Sequence, residues 1–221
     1  MSEEKKIRII DATLIITTIV CLIPLIPGFI LWDKLPDTMA RHFDLQGNAN
    51  GYNSKFVCIV IYPCFLALLN FFMCLLFNIK AKKEELSSKL KNVFCWIMPI
   101  VSIIIFWTII KTNLSAETAN VSSVFFACGL VFTIIGNYLP KVPASIISFP
   151  VPPSILNDKK KVDDIKKIGA RRMGYFVVPS GFLIMITAFT PINFIGFYVG
   201  LGLFIVGTII AIVTTWKQSK L

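Results

Sequence analysis

Residues 35–55 read LPDTMARHFDLQGNANGYNSK. This polar island lies between two apolar runs, residues 9–31 and 56–78. Each run is long enough to cross a bilayer, for which a helix needs about 20 residues. Working outward, four more apolar runs follow at residues 92–110, 121–139, 175–189 and 192–214. The chain of 221 residues is 56% hydrophobic, with a mean hydropathy of +0.76. Soluble domains are only about 45–50% apolar and lack repeated runs of this length. The expected fold is therefore all-α: a polytopic bundle of six transmembrane helices. Helices are required because lipid offers no partner to an unpaired backbone group.

Lysine and arginine set the expected orientation. Eighteen of the 22 fall on one side: the N-terminus (Lys5, Lys6, Arg8), the loop after the second run (Lys80, Lys82, Lys83, Lys89, Lys91), the loop after the fourth, and the C-terminus (Lys217, Lys220). The loop after the fourth run holds Lys141, Lys159, Lys160, Lys161, Lys166, Lys167, Arg171 and Arg172. Only Lys34, Arg41, Lys55 and Lys111 fall on the other side, balanced by Asp33, Asp37, Asp44 and Glu117. Both termini are thus expected in the cytoplasm and the island outside. The net charge of +10 follows from topology and attraction to anionic lipids, with no direct nucleic-acid partner. The first run is too long for a cleaved leader and reads as a retained anchor.

Two domains are expected. Residues 1–112 hold three spans and the motif loop at 32–55. Residues 113–221 hold three more and a long basic cytoplasmic connection at 140–174. That connection begins with five prolines between residues 140 and 153, which favour extended chain. It continues as a helix with Val162, Ile165 and Ile168 on one face and lysines around the rest. Two readings stand for that helix: an interfacial element, with Lys159, Lys160, Lys166, Lys167, Arg171 and Arg172 contacting lipid or a cytoplasmic partner, or a solvated link between spans. Gly196 and Gly200 form a GxxxG pair that supports close helix packing without fixing an oligomeric state.

Chemistry is sparse. No charge is expected at membrane depth, which argues against an ion-coupled transporter. The six cysteines, Cys21, Cys58, Cys64, Cys74, Cys95 and Cys128, all fall within runs and read as packing residues. No cofactor-binding motif is present, and no catalytic residue or metal site is assigned. His42, the only histidine, could join Asp37 and Asp44 at a metal or act as a base, but zinc sites usually want three or four protein ligands. The plainer reading is a hydrogen bond within the loop. Asn50-Gly51 is a hairpin-turn signal and Gly47-Asn48 a second one, so the island should be ordered.

The island carries a pattern: Leu35-Pro36, five residues, His42-Phe43-Asp44, Gly47-Asn48, Gly51-Tyr52 and Ser54-Lys55. It resembles the N-terminal motif of SdpI-type bacterial membrane proteins. Gly136-Asn137-Tyr138 with Lys141 is similar to the GNY stretch of that family, at the inner end of its fourth span. Pro153 and Leu156 correspond to part of its second motif, although the Arg and Trp of that motif are missing here. The resemblance implies a multi-pass protein of the bacterial plasma membrane with both termini inside. It implies immunity against a secreted membrane-active peptide toxin, a bacteriocin, with Pro36, His42, Phe43, Asp44, Gly47, Asn48, Gly51, Tyr52 and Lys55 as recognition residues. It also implies a second reading, a membrane-tethered signalling protein that sequesters a cytosolic transcriptional repressor. A third reading from the residues themselves is an enzyme with an extracellular site centred on His42.

Overall fold

A computed structural model describes residues 9–84, 86–115 and 118–219. Lys5, Lys6, Arg8, Glu117 and Lys220, which enter the charge balance, lie outside the described residues, as does the side chain of Lys83. About 75% of the described residues are helical. Among the described residues, five helical stretches are long and apolar enough to cross a membrane: Ala12–Ile30, Val57–Lys82, Ser88–Ser115, Ser122–Lys141 and Asn193–Gln218. Their outer faces carry bare hydrophobics such as Ile30, 74% exposed, and Trp107, 59% exposed. Water tolerates such a surface poorly, whereas lipid accommodates it.

The chain divides into two compact units, Met1–Val124 and Phe125–Leu221. In unit 1, α1 (Ala12–Leu22) starts at Asp11, whose carboxylate accepts from the Leu14 N–H at 2.9 Å. This is an ordinary N-cap. Pro24 separates α1 from the short α2 (Leu25–Ile30), since a proline removes a helical hydrogen bond. Strands β1 (Thr38–Phe43) and β2 (Ala49–Ser54) then form an antiparallel hairpin. The all-α expectation is corrected to this extent. A π-helical turn, Val57–Ile61, leads into α3 (Tyr62–Glu84), and α4 (Ser88–Ser115) closes the unit.

The hairpin turn is not where the Asn50-Gly51 signal put it. It lies at residues 44–48, and Asn50 and Gly51 belong to β2. The Asp44 carboxylate accepts from the Asn48 backbone at 2.8 Å and from its side chain at 3.0 Å, and Gly47 takes a φ of +86°. A side chain at Gly47 would also run into the backbone carbonyl of Ala119. Gly51 instead faces His42 beside a register shift, where a Cβ would come within 2.9 Å of the His42 Cβ.

Unit 2 contains α5 (Ser122–Tyr138), most of which it includes, α6 (Lys159–Thr187) and α7 (Asn193–Gln218). The expected separate basic helix and short fifth span are one continuous helix of 29 residues. The proline-rich segment before it folds back, so that Ile147 and Phe149 form a core with Ile155, Ile165 and Ala170. The apolar stripe of the basic helix is thus covered by the chain's own connection. On α7, a Cβ at Gly200 would lie 2.5 Å from Ile184 and 2.9 Å from the Ser180 carbonyl, and one at Gly196 would strike Thr187. The GxxxG face is spent on α6 of the same chain.

Candidate functional site

The hairpin is held to the rest of unit 1 by bonds at several points. Asn113, near the end of α4, accepts from the Ala40 N–H at 2.8 Å and donates to the Ala40 carbonyl at 2.7 Å. It thereby replaces the partner that an edge strand lacks. Beyond α4 the chain passes the turn, and the Ala119 N–H donates to the Gly47 carbonyl at 2.9 Å. At the hairpin base, the Lys55 ammonium donates to the Trp32 carbonyl at 3.1 Å, pairs with Asp37 at 3.2 Å and lies 5.4 Å from the centre of the Trp32 ring. Below the strands, Leu35 and Met39 enter a core with Cys58, Ile59, Phe106, Ile109 and Ile110, and Phe43 packs on it.

The motif residues therefore separate by what they touch. Lys55 is buried and structural, its side chain only 12% exposed. Phe43, Asp44 and Gly47 shape the hairpin and its turn. The Asn48 amide and the turn's backbone N–H groups hold the Asp44 carboxyl below the usual carboxylate range, against a smaller desolvation effect. What remains outside is Pro36, His42, Asn48 and Tyr52, the last 56% exposed. His42 bonds through Nδ1 to the Asn50 side chain, as the plainer reading expects. Arg41 adds a cation the motif does not contain. Its Cζ lies 5.7 Å from the centre of the Tyr62 ring. With the Asn53 amide oxygen turned toward them, that oxygen accepts from the Tyr62 hydroxyl at 2.7 Å and from Arg41 Nε at 3.0 Å. Among the described residues no three His, Cys, Asp or Glu side chains gather as metal ligands. Asp37 pairs with Lys55, and Asp44 accepts from Asn48 within the turn.

At the other end of unit 1 lies a charge pair that the sequence reading misses. Lys91, read as a loop residue, is 5% exposed inside the first turn of α4 and donates to the Asp11 carboxylate. Desolvation pushes the Asp11 carboxyl up, but the Lys91 hydrogen bond and charge outweigh it and hold it below 3.8. Asn78 donates to the Ile9 carbonyl at 2.7 Å nearby. Eighty residues separate Asp11 from Lys91, and no local pattern announces such a pair.

In unit 2, Gly136 and Asn137 of the second resemblance line an open cleft of about 440 Å³ with Arg171 and Tyr175. Tyr138 turns elsewhere, its ring centre 4.7 Å from the Lys141 ammonium. Arg172 reaches α7, donating to Thr215 at 3.2 Å and Gln218 at 2.6 Å. Lys159, Lys160 and Lys167 are exposed, and Lys166 is half-buried.

Residues 19–67, from the second half of α1 through the hairpin into α3, match a family described as a domain of unknown function, DUF1648. No curated protein and no solved structure matches the chain.

Proposed function

We propose that this protein is an immunity protein of the bacterial plasma membrane that protects against a secreted membrane-active peptide toxin, by binding rather than catalysis. The supporting observation is the division of labour within the SdpI-like motif. Lys55, Phe43 and Gly47 are consumed in building the hairpin, while His42, Asn50 and Tyr52 stand exposed on it. A platform fixed in advance loses little entropy on binding. Tyrosine offers a rigid surface with one apolar and one polar side, suited to an amphipathic peptide.

The reading includes six spans with both termini in the cytoplasm. The sixth crossing element is the C-terminal part of α6, which pairs along α7 through Gly196, Gly200 and Gly207. The basic residues of the described loops favour that orientation, with the hairpin outside. A membrane-impermeant label should reach a tag inserted after Asn48 and miss one at the C-terminus; the opposite result refutes the orientation. Deleting the gene should sensitise cells to a peptide made by sibling cells. Re-expression should restore survival, and a Tyr52→Ala, His42→Ala double variant of normal abundance should not. A deletion strain with unchanged survival sinks the immunity reading.

A further inference from the structure

The cleft in unit 2 has the polarity of a phospholipid. Arg171, Gly174, Tyr175 and Val178 are spaced by three, four and seven residues, so they share one face of α6. Asn137 joins them from the end of α5. The floor is bare backbone: a Cβ at Gly174 would lie 2.8 Å from the Gly136 carbonyl, so the two helices touch and no side chain fills the space. Among the described residues, Arg171, Asn137 and Tyr175 make no side-chain hydrogen bond or ion pair, and Tyr175 is 70% exposed. The neighbouring Arg172, by contrast, is fully engaged with α7.

The depth fits as well. Arg172 contacts α7 at Thr215. From Asn193 to Thr215, at about 1.5 Å per residue, α7 rises about 33 Å. The hydrocarbon layer is about 30 Å thick, which puts Arg171 at the level of the headgroups. Val178 and Pro179 line the cleft one to two turns further along α6, toward the apolar interior. One end thus offers an unpaired guanidinium with amide and phenol donors, and the other offers apolar walls.

We propose that this cleft binds one anionic phospholipid. Its phosphate is held by Arg171 with Asn137 and the Tyr175 hydroxyl, and an acyl chain lies along Val178 and Pro179. Guanidinium suits phosphate because its fixed fork meets two oxygens at once. The proposal does not depend on the immunity reading.

The test uses the full chain, purified in detergent and examined by native mass spectrometry. The probes are phosphatidylglycerol, phosphatidylcholine and inorganic phosphate. The chain should retain one phosphatidylglycerol and prefer it to phosphatidylcholine about tenfold, and Arg171→Gln should remove that preference. Tyr175→Phe, which keeps the ring and so the packing, should weaken retention about threefold and carries the test if Arg171→Gln does not fold. Lys89→Gln, an exposed lysine on α4 outside the cleft, should change nothing. Equal retention of the two lipids, or undiminished phosphatidylglycerol binding by both cleft variants, overturns the proposal. Displacement of the lipid by inorganic phosphate at equal concentration would make this a free-anion site and also overturn it.

Discussion

In unit 1, α1, α3 and α4 meet through polar side chains. Asp11 pairs with Lys91, and the Thr13 hydroxyl donates to Asn92 at 3.2 Å. Asn70, with its amide turned toward both neighbours, accepts from the Thr17 hydroxyl at 3.0 Å and donates to the Cys95 carbonyl at 3.2 Å. In unit 2, apart from the Arg172 bonds to α7, the helices meet mainly through bare backbone. A Cβ at Gly129 would lie 2.6 Å from the Gly181 carbonyl, and Gly136 and Gly174 repeat the contact seven residues away on each helix. Phenylalanine pairs, Phe125 stacked on Phe197 at 4.9 Å and Phe132 tilted against Phe204 at 5.1 Å, fill the sides. Both are solutions to the same difficulty: lipid tails are as apolar as leucine, so burial alone does not bring helices together. The difference is in what each solution leaves free. Polar bonds in unit 1 engage Lys91 and Asn70 between its helices and Asn113 at the hairpin. Glycine contacts in unit 2 use no donors, and Arg171 with its neighbours remains open to a ligand.

The sharpest way to break the comparison is to remove one charge from unit 1. Asp11→Asn keeps an N-cap oxygen for Leu14 but leaves the Lys91 ammonium buried without its counter-charge. Stranding a buried charge costs on the order of 3 kcal/mol, and the loss should appear as a lowered midpoint of heat unfolding in detergent. The native Asp11 carboxyl titrates below its ordinary value of 3.8. Its contribution is therefore complete above that value and falls away as pH drops through the lower native one. The wild type should lose stability across that acid window while Asp11→Asn stays comparatively flat there. Equal midpoints for the two proteins at neutral pH would mean that the pair does not hold α1 to α4.

Gly181→Val asks the matching question of unit 2. The new Cβ would sit 2.5 Å from the Gly129 carbonyl and 2.5 Å from the Thr133 nitrogen, both backbone atoms that cannot swing aside. Overpacking of this kind costs about 2 kcal/mol. Gly202 is the control, because nothing lies within 4 Å of its Cβ position. Gly202→Ala should leave the midpoint within error or raise it slightly, alanine being the better helix former. Similar losses at both glycines would show that composition, not contact, explains the effect.

Much of the helical content is legible in the sequence because lipid demands long apolar runs, which need no tertiary knowledge to see. The failures are long-range. Lys91 looks like a loop charge because its partner is in another helix, and of the two turn signals it is Gly47-Asn48 that turns, beside Ala119, while Asn50-Gly51 lies in β2. The basic helix and the fifth run look separate because charge and apolarity change abruptly near Gly174. The backbone continues through that point since Gly174 lies against the Gly136 carbonyl and gives no reason to stop. On the hairpin, the motif marks the right segment but not which residues build it and which remain exposed. Only burial and bonding distinguish Lys55 from Tyr52.

The smallest expected effect tests whether unit 1 depends on its neutral polar contacts at all. Asn70→Leu preserves volume and removes both interhelical bonds, to Thr17 and to Cys95. Interhelical hydrogen bonds in membranes average about 0.6 kcal/mol each, so the loss should be about 1 kcal/mol, well below that of Asp11→Asn. Leucine also packs well among helices and recovers part of that through dispersion. A measured loss near that of Asp11→Asn would make Asn70 the keystone of the three helices and the charge pair secondary. No loss would leave the α1–α4 contacts, Asp11 with Lys91 and Thr13 with Asn92, as the polar bonds that hold unit 1, and would narrow the contrast with unit 2 to that pair of helices.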